Sequence, residues 1–298
     1  MATLELGINE GGVVSPAGRT RRLGPLFWAA VGWTVVILAA AALADVLPLP
    51  SPTDMDMLER RAPMSWEHWL GTDGLGRDEL ARLIQGARVS LTVGLCAPVI
   101  GVAIGGALGM LAGYFRRRFE TLVVGSMDVL LAFPPLILAL AVTAYLGQSL
   151  LNLTCILGVL GIPAFMRVAR AATLTLARRE FVIAAQALGA THARILLRHL
   201  IPNTLPPVLI QATIGLASAI LAESTLSFLG LGVLSPTASW GAMLNDARNH
   251  IFDAPHMVIF PALGIVVAVL AFNLLGDALR DWLDPRTRAY LLTQELSR

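Results

Sequence analysis

No lysine occurs in this chain of 298 residues, and every one of its 22 basic residues is arginine. That absence excludes a Walker A loop, whose lysine holds the phosphates of a nucleotide, and Schiff-base chemistry. Charge of either sign is scarce. Charged residues make up 14% of the chain and hydrophobic ones 56%, where a soluble domain carries about 25% charged. Much of the surface therefore faces something other than water, and a net charge of +2 is no nucleic-acid footprint. Cysteine is confined to Cys96 and Cys155, both inside apolar runs, where they read as small buried hydrophobes. The lysine-free, Ala- and Arg-rich usage points to a GC-rich bacterial genome.

What the chain has instead is apolar length. A spanning helix needs about 20 mostly apolar residues, and stretches at Pro25–Leu47, Val89–Tyr114, Thr121–Leu146, Leu150–Leu176, Thr204–Leu221 and Met257–Leu279 meet that. Arginines cluster at Arg19, Arg21 and Arg22, at Arg116–Arg118, between Arg167 and Arg198, and at Arg280, Arg286 and Arg288. All of these fall on one side of the alternating spans, so the positive-inside rule predicts six spans with both termini cytoplasmic. The expected organisation is a cytoplasmic tail (1–24), a first transmembrane anchor (25–47), an extracytoplasmic segment (48–88), a five-span core (89–279) and a cytoplasmic C-terminal tail (280–298). Arg21-Arg22, the first apolar run and Ala42-Leu43-Ala44 also imitate a secretory leader, but a leader's apolar region runs about 7–15 residues. The length favours a retained anchor.

Breakers and small residues mark the spans. Pro134-Pro135 follows Phe133 inside the third span and predicts a kink there. Gly101, Gly105, Gly109 and Gly113 line one flank of the second span at a spacing that permits close helix approach, read as packing within the bundle. Asp128 lies about two turns into the third span. Its insertion cost of about 2.5–3.5 kcal/mol is offset by neighbouring Leu and Val, and the side chain is expected on the translocation path or in the bundle interior, paired with Arg167 or Arg170, or as a structural acceptor. Phe133, Pro134 and Glu223 are placed with it as candidates.

The segment before the second span has Leu80, Leu83, Ile84 and Ala87 at helical spacing, predicting an amphipathic helix on the membrane face, with Trp66 and Trp69 at headgroup level. Asp73, Asp78 and Glu79 lack calcium-loop spacing and read as turn and capping residues. His250, His256, Met243 and Met257 fit no compact metal geometry, so no metal site is assigned. The surroundings of Trp240 and Pro255 read as a surface re-entrant segment or a docking patch.

The most patterned stretch lies at 178–203. Phe181, Ala185 and Leu188 form an apolar stripe on one short helix. Gly189 supplies a left-handed terminator, Thr191 caps a second helix carrying Ile195, Leu196 and Leu200, and Pro202 is expected to stop it. Arg178, Arg179, Arg194 and Arg198 form a basic rim. Two amphipathic pieces at an angle make a rigid knob between spans.

This stretch, Arg179-Glu180-Phe181-Val182-Ile183-Ala184-Ala185-Gln186-Ala187-Leu188-Gly189 followed by Ile201-Pro202-Asn203, resembles the coupling loop of ABC-importer permeases. With His68-Trp69-Leu70-Gly71-Thr72-Asp73-Gly74-Leu75-Gly76-Arg77-Asp78, Leu221–Gly232 and Asn273–Pro285, it resembles the dipeptide/oligopeptide/nickel permease family, and the second subunit of its permease pair. One position departs: Ile183 stands where that family often has Glu before the Ala pair. The resemblance implies an all-α, polytopic membrane protein with the type I ABC-importer transmembrane fold in a bacterial inner membrane. It implies a non-catalytic chain that holds no cofactor, with ATP and Mg on partner ATPase chains. The implied partners are a homologous permease, two ATPase domains and an extracytoplasmic binding protein, with no nucleic acid. Glu180, Phe181, Ala184, Ala185, Leu188, Gly189, Arg194 and Pro202 are then the expected contacts to the ATPase, and di- or oligopeptides the expected cargo, with nickel or another small solute as the alternative. A secondary transporter would show inverted repeats or several intramembrane charges, and an intramembrane enzyme a catalytic motif. Neither pattern is present.

Overall fold

The computed structural model describes residues 25–283; both tails, with Arg286 and Arg288, lie outside the described residues. Among these the chain forms helices α1 (Pro25–Ala42), α2 (Glu79–Ile100), α3 (Gly106–Phe115), α4 (Arg117–Leu131), α5 (Pro135–Leu146), α6 (Leu150–Leu176), α7 (Glu180–Ala187), α8 (His192–Ile195), α9 (Ile201–Phe228), α10 (Trp240–Ala247) and α11 (His256–Leu283). Widened turns at Gly101–Gly105 and Leu196–Leu200 join α2 to α3 and α8 to α9. The results are two continuous helices of 37 residues each, Glu79–Phe115 and His192–Phe228. At 1.5 Å per residue each is about 55 Å long, so both project well beyond a hydrocarbon layer of about 30 Å.

With Leu150–Leu176 and His256–Arg280, these make four helices long and apolar enough to cross a membrane. α4 and α5 pass the same test only together and are bent by 82°. The third expected span is thus broken rather than kinked. The reason is local: Pro135 disfavours helical backbone at the residue before it, and Pro134 is held extended at φ −57° and ψ 123°. α1, 18 residues long, is shorter than each of these four helices.

Glycine sets the tightest seam. A Cβ at Gly105 would lie 2.6 Å from the Ile162 carbonyl oxygen, and one at Gly109 would lie 2.2 Å from that of Met166. The flank Gly101–Gly113 therefore packs α2 and α3 against the backbone of α6, within the chain. α1 is built into the core as well: Ile37 and Ala41 are buried with Leu91, Ile220, Trp240 and Phe272. Arg88 of α2 grips the end of α1, donating to the carbonyls of Ala41 at 3.0 Å and Ala42 at 3.2 Å and to the Asp45 carboxylate at 2.9 Å. Those carbonyls have no partner within their own helix.

Four expectations need correction. Residues 79–88 form no separate helix on the membrane face; no breaker intervenes, so they are the first turns of α2, with Ala81, Arg82, Gly86 and Ala87 buried. Trp240 is 1% exposed rather than part of a docking patch. Its indole N–H donates to the Leu83 carbonyl at 3.1 Å, a contact that Gly86 allows by leaving room for the Ser239–Trp240 backbone. Cys96 and Cys155 are exposed on the chain surface. Finally, Pro202 does not stop the helix that starts at His192. It lies in the first turn of α9, just after the widened turn, where the regular bonding pattern that a proline interrupts is already relaxed.

Candidate functional site

The loop between α6 and α9 is a small folded unit. Arg179 leads into α7, and after Ala187 the chain turns through Leu188 and Gly189, whose φ is +78°. The Ala190 N–H donates to the Ala185 carbonyl and the Gly189 N–H to that of Gln186, at 3.0 and 2.9 Å. This is the paired bonding of a left-handed helix terminator. Thr191 then accepts from the Arg194 N–H and opens α8. Val182, Ile195 and Leu200, each 0% exposed, form the unit's own core, against Met110 and Tyr114 of α3 and Leu176 of α6. Val182 was missed by the stripe drawn through Phe181, Ala185 and Leu188. Its i, i+3 relation to Ala185 is the signal that would have found it.

With Val182 turned inward, the opposite face is apolar and open. Leu188 is 88% exposed, and Phe181 and Ile183 are also exposed. Glu180, Ala184, Gly189, Arg194 and Pro202 are exposed around them, and Ala185 is half-buried. Apolar side chains held outward by a packed core form a ready contact surface. Tyr114 ties the unit to α3: its hydroxyl lies 2.7 Å from His192 Nδ1.

The path candidates separate. Phe133 and Pro134 lie exposed at the α4–α5 break. Asp128 is exposed in the single chain, and Arg167 donates to it at 3.3 Å. One turn towards the α3–α4 junction, Arg170 donates to Glu120 through Nε at 2.8 Å. The two pairs hold α4 against α6. Next to the break, Pro98, Pro135, Leu136, Ala139, Gln211 and Ser218 line an open, mostly apolar groove of about 250 Å³. Glu223 lies elsewhere, 0% exposed in the bundle. It accepts from Ser90 of α2 at 2.8 Å and from Ser227 at 2.7 Å. A buried carboxylate must be satisfied by such donors, and here it joins α2 to α9.

At the other end of the molecule, residues 54–78 and the start of α2 are clasped by charge to α10 and the α10–α11 connection. Asp73 accepts from Arg77 at 2.6 Å, and both Arg77 and Arg82 reach Asp246, at 3.3 and 3.4 Å. Arg61 donates to Asp253 at 2.7 Å, and His256 Nε2 lies 3.1 Å from the Thr72 carbonyl. Asp78 caps α2 by accepting from the Ala81 N–H, the role its position predicts. His68 bridges Asp78 at 2.9 Å and Glu59 at 2.7 Å. Its pKa is raised above 6.5, first by the bond to Asp78, against partial burial, and then by Glu59. Met243 and Met257 are buried core residues. Among the described residues no three His, Cys, Asp or Glu side chains are grouped to hold a metal ion.

Comparison with known proteins agrees with this architecture. Residues 105–289 match the family of binding-protein-dependent transport system inner membrane components. The chain is 40% identical over 263 residues to a dipeptide transport system permease protein of Alkalihalophilus pseudofirmus, covering 88% of this chain and 86% of the relative. It is 42% identical over 270 residues to a glutathione transport system permease protein of Escherichia coli, covering 91% and 89%. Among solved structures, inward-facing forms of the MetNI methionine ABC transporter superpose with a TM-score of 0.57 at 21% identity, covering 68% of this chain and 96% of that one. At that identity the likeness speaks for the fold alone, the type I ABC-importer transmembrane fold. An all-helical bundle with a broken third span and a folded loop between long helices, matched over most of its length, belongs to the family of binding-protein-dependent transport system inner membrane components: the chain is a multi-pass permease subunit of an ABC importer.

Proposed function

We propose that this subunit forms, with a homologous permease, the path for short peptides across a bacterial inner membrane, and that the loop between α6 and α9 is its contact with a partner ATPase. The observation that carries this reading is the loop's construction. A dedicated core of Val182, Ile195 and Leu200 holds Phe181, Ile183 and Leu188 out into the open, in a chain with no lysine for a nucleotide loop. The site is cytoplasmic on the arginine distribution, with both termini on the same side. ATP and Mg are held by the partner ATPases, an extracytoplasmic binding protein delivers the cargo, and no cofactor or catalytic residue is assigned to this chain. Short peptides are the cargo class because the permeases named above serve dipeptide and glutathione transport, and glutathione is itself a small peptide. The groove beside the α4–α5 break, with Phe133 and Pro134 at its edge and Asp128 nearby, is the part of the path supplied here.

The test is reconstitution of the whole transporter, with uptake and ATP hydrolysis measured with and without loaded binding protein. Leu188→Asp puts a charge into the open apolar face. Gly189→Val forces a β-branched residue into φ +78°, a backbone strain of about 1–2 kcal/mol or more. No atom lies within 4 Å of the new Cβ, so the effect comes from the turn and not from a clash. Both variants should insert normally, lose uptake and lose the stimulation of hydrolysis. Normal coupled uptake in both, at wild-type protein levels, refutes the assignment.

A further inference from the structure

From the packing around His192 we infer that the Tyr114–His192 pair is the joint through which movement of the α6–α9 loop reaches the broken span. Tyr114 and His192 are thus positioning residues for coupling. The inference rests on the loop reading above and goes beyond it, because it concerns how motion leaves the loop and not what touches it.

The joint has three parts. The first is the pair itself. Tyr114 Oη lies 2.7 Å from His192 Nδ1, and the two rings meet edge-on with centroids 5.6 Å apart. Phe115 adds a second edge contact to His192 at 5.9 Å. Residues from α3 therefore grip the start of α8 by one hydrogen bond and two edge-on ring contacts, while Tyr114 also packs on the loop's core.

The second part is the chain reversal directly after these rings. Arg116 has φ 52° with ψ −162°, and Arg117 has φ 51°. Two consecutive residues with side chains occupy backbone regions that favour glycine. Phe115 packs edge-on against Phe119 across this reversal, with centroids 6.5 Å apart. Such a turn is over-determined by its surroundings and changes shape when they move.

The third part is α4 itself. It is pinned to α6 by Glu120–Arg170 and Asp128–Arg167, and it ends at the 82° break from which Pro135, Leu136 and Ala139 line the groove. A displacement of His192 thus reaches the groove through Tyr114, the strained reversal and one rigid helix. Every step is a packed contact. A sequence of contacts alone does not demonstrate coupling, so the test measures it directly.

The assembled transporter, with partner permease, ATPase chains and binding protein, is reconstituted in vesicles carrying Tyr114→Phe, His192→Phe or both. Each change keeps an aromatic ring and removes the hydrogen bond. Peptide taken up per ATP hydrolysed should fall about two- to tenfold, the range set by one hydrogen bond. The ATPase chains should still co-purify in full. The double variant should fall no further than either single one, because both remove the same interaction. Three results overturn the inference: an unchanged ratio in both single variants, losses that multiply in the double variant, or loss of the ATPase chains, which would make His192 part of the docking face. Leu188→Asp separates the two readings. If the loop does not contact the ATPase, Leu188→Asp leaves uptake and stimulation normal. If only the joint is wrong, Leu188→Asp is damaging while the Tyr114 and His192 variants keep their ratio.

Discussion

Replacing Gly109 by alanine tests the seam that the rest of the bundle is built around. The added methyl would lie 2.2 Å from the Met166 carbonyl oxygen, 2.9 Å from Ala169 Cβ and 3.0 Å from the Arg170 nitrogen. All three atoms belong to α6, and two are backbone, so no side chain can rotate away. Ordinary contact needs roughly 3.5 Å, and α3 and α6 must therefore part by about 1 Å at this point. A gap of 0.5–1 Å along a packed face forfeits roughly a quarter to a half of each dispersion contact. Overpacking costs about 1–3 kcal/mol, and rigid backbone puts this site at the upper end. The intrinsic helix preference of alanine returns about 1 kcal/mol, which leaves a net loss of about 2 kcal/mol. Gly125 is the matched control, since a Cβ there meets nothing within 4 Å. Thermal unfolding of the purified permease in detergent, followed by size-exclusion fluorescence, should show Gly109→Ala melting about 4–8 °C below wild type. Gly125→Ala should melt with wild type or above it. A Gly109→Ala protein as stable as wild type would show that α3 and α6 are not in backbone contact.

Two further predictions concern the polar interior and the clasp. Glu223→Leu leaves the hydroxyls of Ser90 and Ser227 without their acceptor and should destabilise by about 2–4 kcal/mol, whereas Glu223→Gln keeps an acceptor and should lose less than half of that in the same thermal assay. Because the His68 pKa is raised in the folded protein, its contribution to the clasp is complete below about pH 6.5 and is lost as pH rises through the raised value. Hydrogen-exchange protection across residues 59–78, corrected for the intrinsic pH dependence of exchange, should fall over that interval, and His68→Gln should remove this fall in protection.

The long spans were legible because apolar length needs no knowledge of partners. The terminator at Gly189 was legible for the opposite reason: a left-handed turn between two short amphipathic pieces demands glycine by itself. The break after Leu131 was readable in position, from Phe133-Pro134-Pro135, but not in angle, since 82° depends on what α5 packs against. The clasp could not be read at all. Arg77 and Asp246 are 169 residues apart, and no local pattern records that they meet. Trp240 misled because a tryptophan near a proline outside the apolar runs looks interfacial, and only the approach of Gly86 shows it to be core. The cysteines misled for a different reason. In a membrane bundle an apolar position faces either neighbouring helices or the outside, and periodicity does not distinguish those two.

The grip of Arg88 on the end of α1 bears on how the protein is made. As α2 emerges, its guanidinium arrives beside a helix end whose last carbonyls have nothing else to bond, and each satisfies the other only if the two helices are already side by side. The pair is therefore suited to entering the bilayer as one hairpin. The same contact shapes the turn that leaves α1: the Ala41 and Ala42 carbonyls bond to Arg88, and Leu43 continues the helical bonding to Ala39.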